Sequence, residues 1–121
     1  MGFPFSFGQP NVPTVTPTDA QMWILAGQAT LVDVREASEH ACERITGAHL
    51  VPLSCFDPAK AAAVLKPGTR LILHCKAGKR SADAASRAAA LVSQGIEVYS
   101  MSGGIDGWKQ AGLNVETGPK K

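Results

Sequence analysis

The segment "RLILHC", residues 70–75, permits few folds. A short apolar run without polar alternation is a strand buried on both faces, and such strands belong to parallel sheets covered by helices on each side. The rest of the chain supplies matching parts. "ATLVDVR" (29–35) and "IEVYSM" (96–101) read as further buried strands, and "GAHLVPL" (47–53) as a shorter one. A first helix is expected with Thr16 as N-cap, Pro17 at its first position, Met22, Trp23 and Leu25 on its buried side and Gly27 as its stop. Others are expected from Glu36 to Glu43, from Asp57-Pro58 to about Leu65, over the alanine-rich residues 81–95, and over "GIDGWKQAG" (104–112), where Trp108 and Ile105 read as core. The alternation predicts an α/β fold, a central mostly parallel sheet with helices on both faces. Ligands of such sheets sit beyond the carboxyl ends of the strands, where Cys75 falls.

With 121 residues, 45% of them hydrophobic, the chain suits one domain, expected over 14–116 between flexible tails at 1–13 and 117–121. Twelve Lys and Arg against ten Asp and Glu leave a net charge of +2, too small for a nucleic-acid surface or a membrane-adsorbing patch. No stretch approaches the roughly 20 apolar residues that span a bilayer, and no basic-then-apolar leader is apparent. The three cysteines, Cys42, Cys55 and Cys75, form neither a CxxC nor a metal-ligand spacing, and their odd number argues against a disulfide framework. These features predict a cytoplasmic protein without a cysteine metal site.

Chemistry concentrates in "HCKAGKRS", residues 74–81. A loop that leaves a strand and enters a helix within a few residues, with Gly78 free to take unusual backbone angles, turns several backbone N–H groups toward one point. The N-terminus of the following helix adds partial positive charge, and Lys76, Lys79 and Arg80 add full charges. That setting favours negative charge on sulfur and marks Cys75 as a nucleophile, in a place where a cysteine retained only for packing would need no cations. Gly78-Lys79 is not a P-loop fragment, since Leu73 and Arg80 occupy the positions of that motif's first glycine and its Ser or Thr.

Four segments in order, "LVDVREASEH", "GAHLVPL", "HCKAGKRS" and "GGIDGWKQAGLNV", make the chain from about Thr14 to Val115 resemble the rhodanese-like, single-domain sulfurtransferases. The resemblance implies an α/β domain whose six-residue active loop runs Cys75, Lys76, Ala77, Gly78, Lys79, Arg80, followed by Ser81. It also implies transfer of sulfane sulfur from thiosulfate or a similar small anionic donor, through a persulfide on Cys75, to cyanide or to a small-molecule or protein thiol. Many members carry Gly-His-Ile-Pro-Gly-Ala where this chain has "ERITGA" (43–48). Only Gly47 and Ala48 persist, which implies altered local packing without loss of activity.

The neighbouring residues divide into expected binders and expected supports. Lys76 and Lys79 are expected to attract the anion. Arg80 is expected to pair with Asp33 or Glu36 and hold the loop's shape, with substrate binding as its alternative role, and Ser81 to cap the helix or to hydrogen-bond the sulfur. Asp33 and Arg35 match the family's Asp-Val-Arg element. Asp33 is expected to anchor the loop backbone, and Arg35 to pair with Glu39 four residues on. Strand alternation turns His74 away from Cys75, which argues against a general-base role. His40 and His49 read as ordinary surface or hydrogen-bonded histidines, and Cys42 and Cys55 as inert, Cys55 being the better candidate for a second thiol near the site. Two other functions compete: a redox-sensing or non-catalytic thiol module, and a cysteine-dependent phosphatase or arsenate reductase. The latter needs one residue more between the cysteine and the arginine than the four present here.

Overall fold

The structure, a computed structural model, describes residues 13–118. Five strands form one parallel sheet: β1 (Thr14–Val15), β2 (Ala29–Asp33), β4 (His49–Leu50), β5 (Arg70–His74) and β6 (Val98–Met101), in the order β1-β6-β5-β2-β4. A two-residue antiparallel ribbon joins β3 (Glu43–Arg44) to β7 (Glu116–Thr117). The helices are α1 (Pro17–Leu25), α2 (Ala37–Cys42), α3 (Pro58–Val64), α4 (Lys79–Arg87), α5 (Ala89–Ser93) and α6 (Gly104–Gln110).

The alternation of β5 explains the two cores. Leu71, Leu73 and Cys75 face one side with Ala84, Ala85 and Ala88, which lets α4 lie close to the sheet. Ile72 faces the other side with Ala20, Ile105 and Trp108, from α1 and α6. Both faces of the central strand are therefore dry, as its unbroken apolar run requires. The expected α/β architecture with a parallel sheet is present.

Several local expectations are corrected. Thr16 caps α1, accepting from the Asp19 N–H at 3.2 Å, but Met22 and Leu25 are 61% and 78% exposed. A helical period starting at Pro17 turns Ala20, Trp23 and Ile24 toward the sheet instead. The Trp23 ring carries the Arg70 guanidinium 4.4 Å above its centroid. The helix expected over 81–95 begins two residues earlier and breaks at Ala88, whose N–H is shared between the carbonyls of Ala84 and Ala85. The break keeps Ala88 and Leu91 both on the core. Strand β4 is shorter than expected because Pro52 brings no N–H to the ladder.

The end of helix α2 also differs. Glu43 leaves the helix and pairs with Thr117 in the ribbon, and the Gly118 N–H donates to the Cys42 carbonyl at 2.9 Å. Arg44, buried, donates to the carbonyls of His40, Ala41 and Gly118 and so ties this ribbon to α2. Residues 1–12 of the expected N-terminal tail, and residues 119–121 of the C-terminal one, lie outside the described residues. Pro13 is described, and its carbonyl accepts from the Ser100 N–H at 3.0 Å. Among the described residues no helix is long and apolar enough to cross a membrane.

Candidate active site

The carboxyl end of β5 delivers Cys75 to the point where the loop turns into α4. Its Sγ accepts the Gly78 N–H at 3.0 Å and lies 3.7 Å from Ser81 Oγ. Ser81 is buried and is not the N-cap: the cap is Gly78, at φ +108°, and the Ser81 hydroxyl contacts the Gly78 carbonyl at 3.1 Å and Ser100 Oγ at 2.8 Å. The sulfur thus sits on a polar floor anchored to β6. A β-carbon at position 78 would meet the Gly103 nitrogen at 3.3 Å, so glycine answers both the backbone angle and the close approach.

Because α4 begins at Lys79, the N–H groups of Lys79, Arg80 and Ser81 fall in its first turn, where no intrahelical acceptor exists. They are left free at the same end of the helix as the Gly78 amide. Lys79 and Arg80 in a first turn also oppose the helix dipole, a position that favours Asp and Glu. Such a local conflict is expected where function, and not helix stability, sets the residue. Ala77 is exposed at the crest of the loop.

From below, helix α6 fixes the loop by its backbone. The Ile105 N–H donates to the Cys75 carbonyl at 2.8 Å and the Asp106 N–H to the Lys76 carbonyl at 3.0 Å. Gly104 makes this contact possible. At φ +58°, a β-carbon there would stand 2.5 Å from the Cys75 oxygen and from the Lys76 carbonyl carbon and oxygen. Gly103 and Gly104 are site residues that sequence reasoning missed; the available signal was the doubled glycine between β6 and the last helix.

The charged groups pair differently from expectation. Arg80 forms a two-pronged bond to Glu39, at 2.7 and 2.9 Å, and not to Asp33 or Glu36. Glu36 is engaged elsewhere, at the start of α2, where it accepts from the Ser54 hydroxyl at 2.8 Å. The Arg80 fork pulls the Glu39 carboxyl down to about 2, and the same bond raises the Arg80 value. Arg35 does not pair with Glu39. Its Nε and Nη2 bond the buried Asp33 carboxylate at 2.8 to 3.1 Å, and Nη2 also donates to the Glu43 carbonyl.

Asp33 does not hydrogen-bond the loop. Its carboxylate collects the Arg35 N–H and guanidinium together with His40 Nδ1, at 2.9 Å, and lies 3.9 Å from His74 Nε2. Burial pushes this carboxyl up, but the bonds from Arg35 and His40 outweigh it and hold it below its ordinary value. Support for the loop passes through His74, which is fully buried and donates from Nδ1 to the Cys75 carbonyl at 3.1 Å. Burial holds His74 below the usual imidazole range, which favours the neutral ring, and its Nε2 has no hydrogen-bond partner. The contact to the main-chain oxygen places this ring as a support of the loop, away from the sulfur's hydrogen bonds.

Lys76 pairs with Asp106 at 3.0 Å on the α6 side of the loop, and Lys79 is exposed with no carboxylate partner among the described residues. Cys42 lines a cleft of about 360 Å³ with Arg35, Glu39, Lys76, Ile105 and Asp106. Cys55 is exposed on a short 3₁₀ turn, Leu53–Cys55.

The Arg80–Glu39 pair yields a first expected outcome. Arg80→Gln lowers kcat, raises KM in a way that added salt does not equalise, and lowers the melting temperature. The stability lost is about 1 kcal/mol, less than the full carboxyl shift converts to, because each partner is about one-third exposed. The stabilisation from a depressed carboxyl is complete above the ordinary value of 4.5 and is lost as pH falls toward 2. The Tm difference between wild type and Arg80→Gln therefore shrinks in acid. A purely KM effect, abolished by salt at constant Tm, would place Arg80 on the substrate instead.

The chain is similar to known proteins over most of its length. The family model of the rhodanese-like domain matches residues 16–111. A thiosulfate sulfurtransferase GlpE from Actinobacillus succinogenes is 37% identical over 85% of this chain and 89% of its own. An uncharacterized protein of Synechocystis sp. is 37% identical over 87% of this chain, and a probable adenylyltransferase/sulfurtransferase MoeZ of Mycobacterium tuberculosis is 34% identical over 78%. The matched region spans about half of the first of these, at 56%, and 24% of the second. Among solved structures, a rhodanese-related protein of Thermoplasma volcanium superposes with a TM-score of 0.69 at 26% identity, covering 86% of this chain and 97% of that one. A thiosulfate sulfurtransferase of Pseudomonas aeruginosa superposes with a TM-score of 0.74 at 26% identity, covering 91% of this chain and 21% of its own. A cysteine at the end of β5 whose sulfur accepts a loop amide, in a parallel sheet of this order, together with a family match over most of the chain, makes this protein a member of the rhodanese-like family.

Proposed function

We propose that the protein is a sulfurtransferase of the thiosulfate type, with Cys75 as nucleophile and the loop Lys76, Ala77, Gly78, Lys79, Arg80 and Ser81 as its anion cradle. In the first half-reaction the Cys75 thiolate attacks the outer sulfur of thiosulfate. The S–S bond breaks, sulfite leaves with its electron pair, and Cys75 carries a persulfide. In the second, cyanide or a thiol attacks the terminal sulfur and the Cys75 thiolate is released, so that sulfur is exchanged in two steps without metal or cofactor. Amides aimed at one point offset the negative charge of the donor as it enters and of the persulfide sulfur that remains.

The observation that carries this reading is the Gly78 amide donating to Cys75 Sγ at 3.0 Å, at the N-terminus of helix α4, whose first-turn N–H groups have no intrahelical acceptor. The short loop favours sulfur over phosphorus. Four residues between Cys75 and Arg80, with Arg80 committed to Glu39, leave no arginine fork for a tetrahedral phosphoryl group. Thiosulfate-to-cyanide turnover is therefore expected, with no detectable hydrolysis of an aryl phosphate, and one residue inserted after Gly78 impairs sulfur transfer. Robust phosphatase activity in the unaltered protein, without sulfur transfer, would contradict the proposal. The same reading places the protein's partners as a small anionic sulfur donor and a thiophilic acceptor, and its site of action as the cytoplasm.

A further inference from the structure

The cations of the loop are not equivalent. Cys75 Sγ points to the α4 side of the sheet, among Ala84, Ala85 and Ser81. Lys76, the next residue, points to the α6 side, where its Nζ lies 3.0 and 3.2 Å from the two oxygens of Asp106. The backbone brings the two residues together, because the Asp106 N–H is bonded to the Lys76 carbonyl and carries the carboxylate with it. Charge is cancelled throughout that side. Around the cleft there, Lys76 meets Asp106, Arg80 meets Glu39, Lys109 meets Glu43 at 2.8 Å, and Arg35 meets Asp33. Among the described residues Lys79 is the loop cation without a carboxylate partner, and it stands exposed at the first position of α4, next to the Gly78 amide that holds the sulfur.

We propose that Asp106 is a specificity-determining residue: it tethers Lys76 away from the sulfur and cancels its charge, so that Lys79 alone among the loop's lysines draws anions to Cys75. The loop is thereby tuned to sulfur donors of low charge, such as organic persulfides and thiosulfonates, more than its three cations suggest. Releasing Lys76, a compact charge on a flexible stem, adds a second mobile cation at the mouth and shifts the preference toward dianions. The inference deepens the sulfurtransferase reading, yet it concerns the field at Cys75 and can be tested without sulfur transfer.

The experiment compares alkylation of Cys75 by iodoacetate and by iodoacetamide, followed on the peptide that contains Cys75 so that Cys42 and Cys55 do not contribute. In both reactions the sulfur displaces iodide, and the reagents differ in carrying a negative charge or none. Their rate ratio reads the local field. Asp106→Asn is expected to raise the ratio about threefold at low ionic strength, an increase that falls away near 1 M salt as screening shortens to a few ångströms. Adding Lys76→Gln to Asp106→Asn removes the increase. In the otherwise unaltered protein, Lys79→Gln lowers the ratio several-fold and Lys76→Gln lowers it by less than twofold, with order-of-magnitude expectations set by one exposed charge. An unchanged or lower ratio in Asp106→Asn at unaltered melting temperature would overturn the proposal. So would a loss in Lys76→Gln equal to that in Lys79→Gln, a comparison that does not depend on how Asp106→Asn folds. Absence of Cys75 alkylation by either reagent would overturn it as well, since the field at the sulfur would then select nothing. If the ratios come out as expected while thiosulfate leaves no sulfur on Cys75, the tether stands and the sulfurtransferase reading falls.

Discussion

Replacing Cys75 by alanine or serine is expected to abolish thiosulfate-to-cyanide turnover, a loss of about a thousandfold or more because covalent catalysis has no second route once the nucleophile is gone. The fold should survive the change. Cys75 is 1% exposed, but its side chain is small, and serine retains a group that can accept the Gly78 N–H. The expected melting temperature of Cys75→Ser is within a few degrees of wild type, so that loss of turnover is separable from loss of structure. Cys42→Ser and Cys55→Ser, both at exposed positions, serve as controls. Turnover undiminished in Cys75→Ser would remove the nucleophile from the account.

Gly104→Ala is expected to do the opposite, damaging the fold first and activity with it. The left-handed backbone at φ +58° costs an alanine about 1 kcal/mol. The larger part is the clash, since the new β-carbon would stand 2.5 Å from the Cys75 and Lys76 carbonyls and both obstacles are backbone. Relief requires α6 to separate from the loop, which breaks the bonds from Ile105 and Asp106 that hold it. A total near 3 kcal/mol or more is expected, within the range of severe single substitutions, with a melting temperature lower by about 10 °C or more. Gly47→Ala isolates the conformational part, for Gly47 has φ +84° with nothing within 4 Å of its would-be β-carbon. It should cost about 1 kcal/mol and leave sulfur transfer intact. Equal effects at positions 47 and 104 would mean that the close approach of α6 to the loop contributes nothing.

Much of this molecule was legible in its sequence because the decisive signals are local. An apolar run buried on both faces, Thr16-Pro17 and Asp57-Pro58 as helix starts, and a strand that ends on a cysteine amid cations are each contained within a few residues. They led to the parallel sheet, to α1 and α3, and to Cys75 at the end of β5. What was missed is held by long-range partnership. Arg80 lies 41 residues from Glu39, and Lys76 lies 30 from Asp106. Nothing in the chain distinguishes Glu39 from Glu36 until α2 is folded, when one carboxylate is taken up at the helix start and the other faces α4. The same holds for Gly104: in sequence it is half of a turn, and its need for an absent side chain arises from the carbonyls of a loop nearly thirty residues earlier. Helix α1 failed for a different reason, because Met22, Trp23, Ile24 and Leu25 are apolar all round and give the period no phase.

The most direct test of the central claim is the intact mass of the protein after it is mixed with thiosulfate and freed of excess donor, read together with the mass of the peptide that contains Cys75. The expected result is a gain of one sulfur atom, confined to Cys75, absent in Cys75→Ser and removed by cyanide with formation of an equal amount of thiocyanate. An unchanged mass, or sulfur found on Cys42 or Cys55 while Cys75 stays bare, would contradict it.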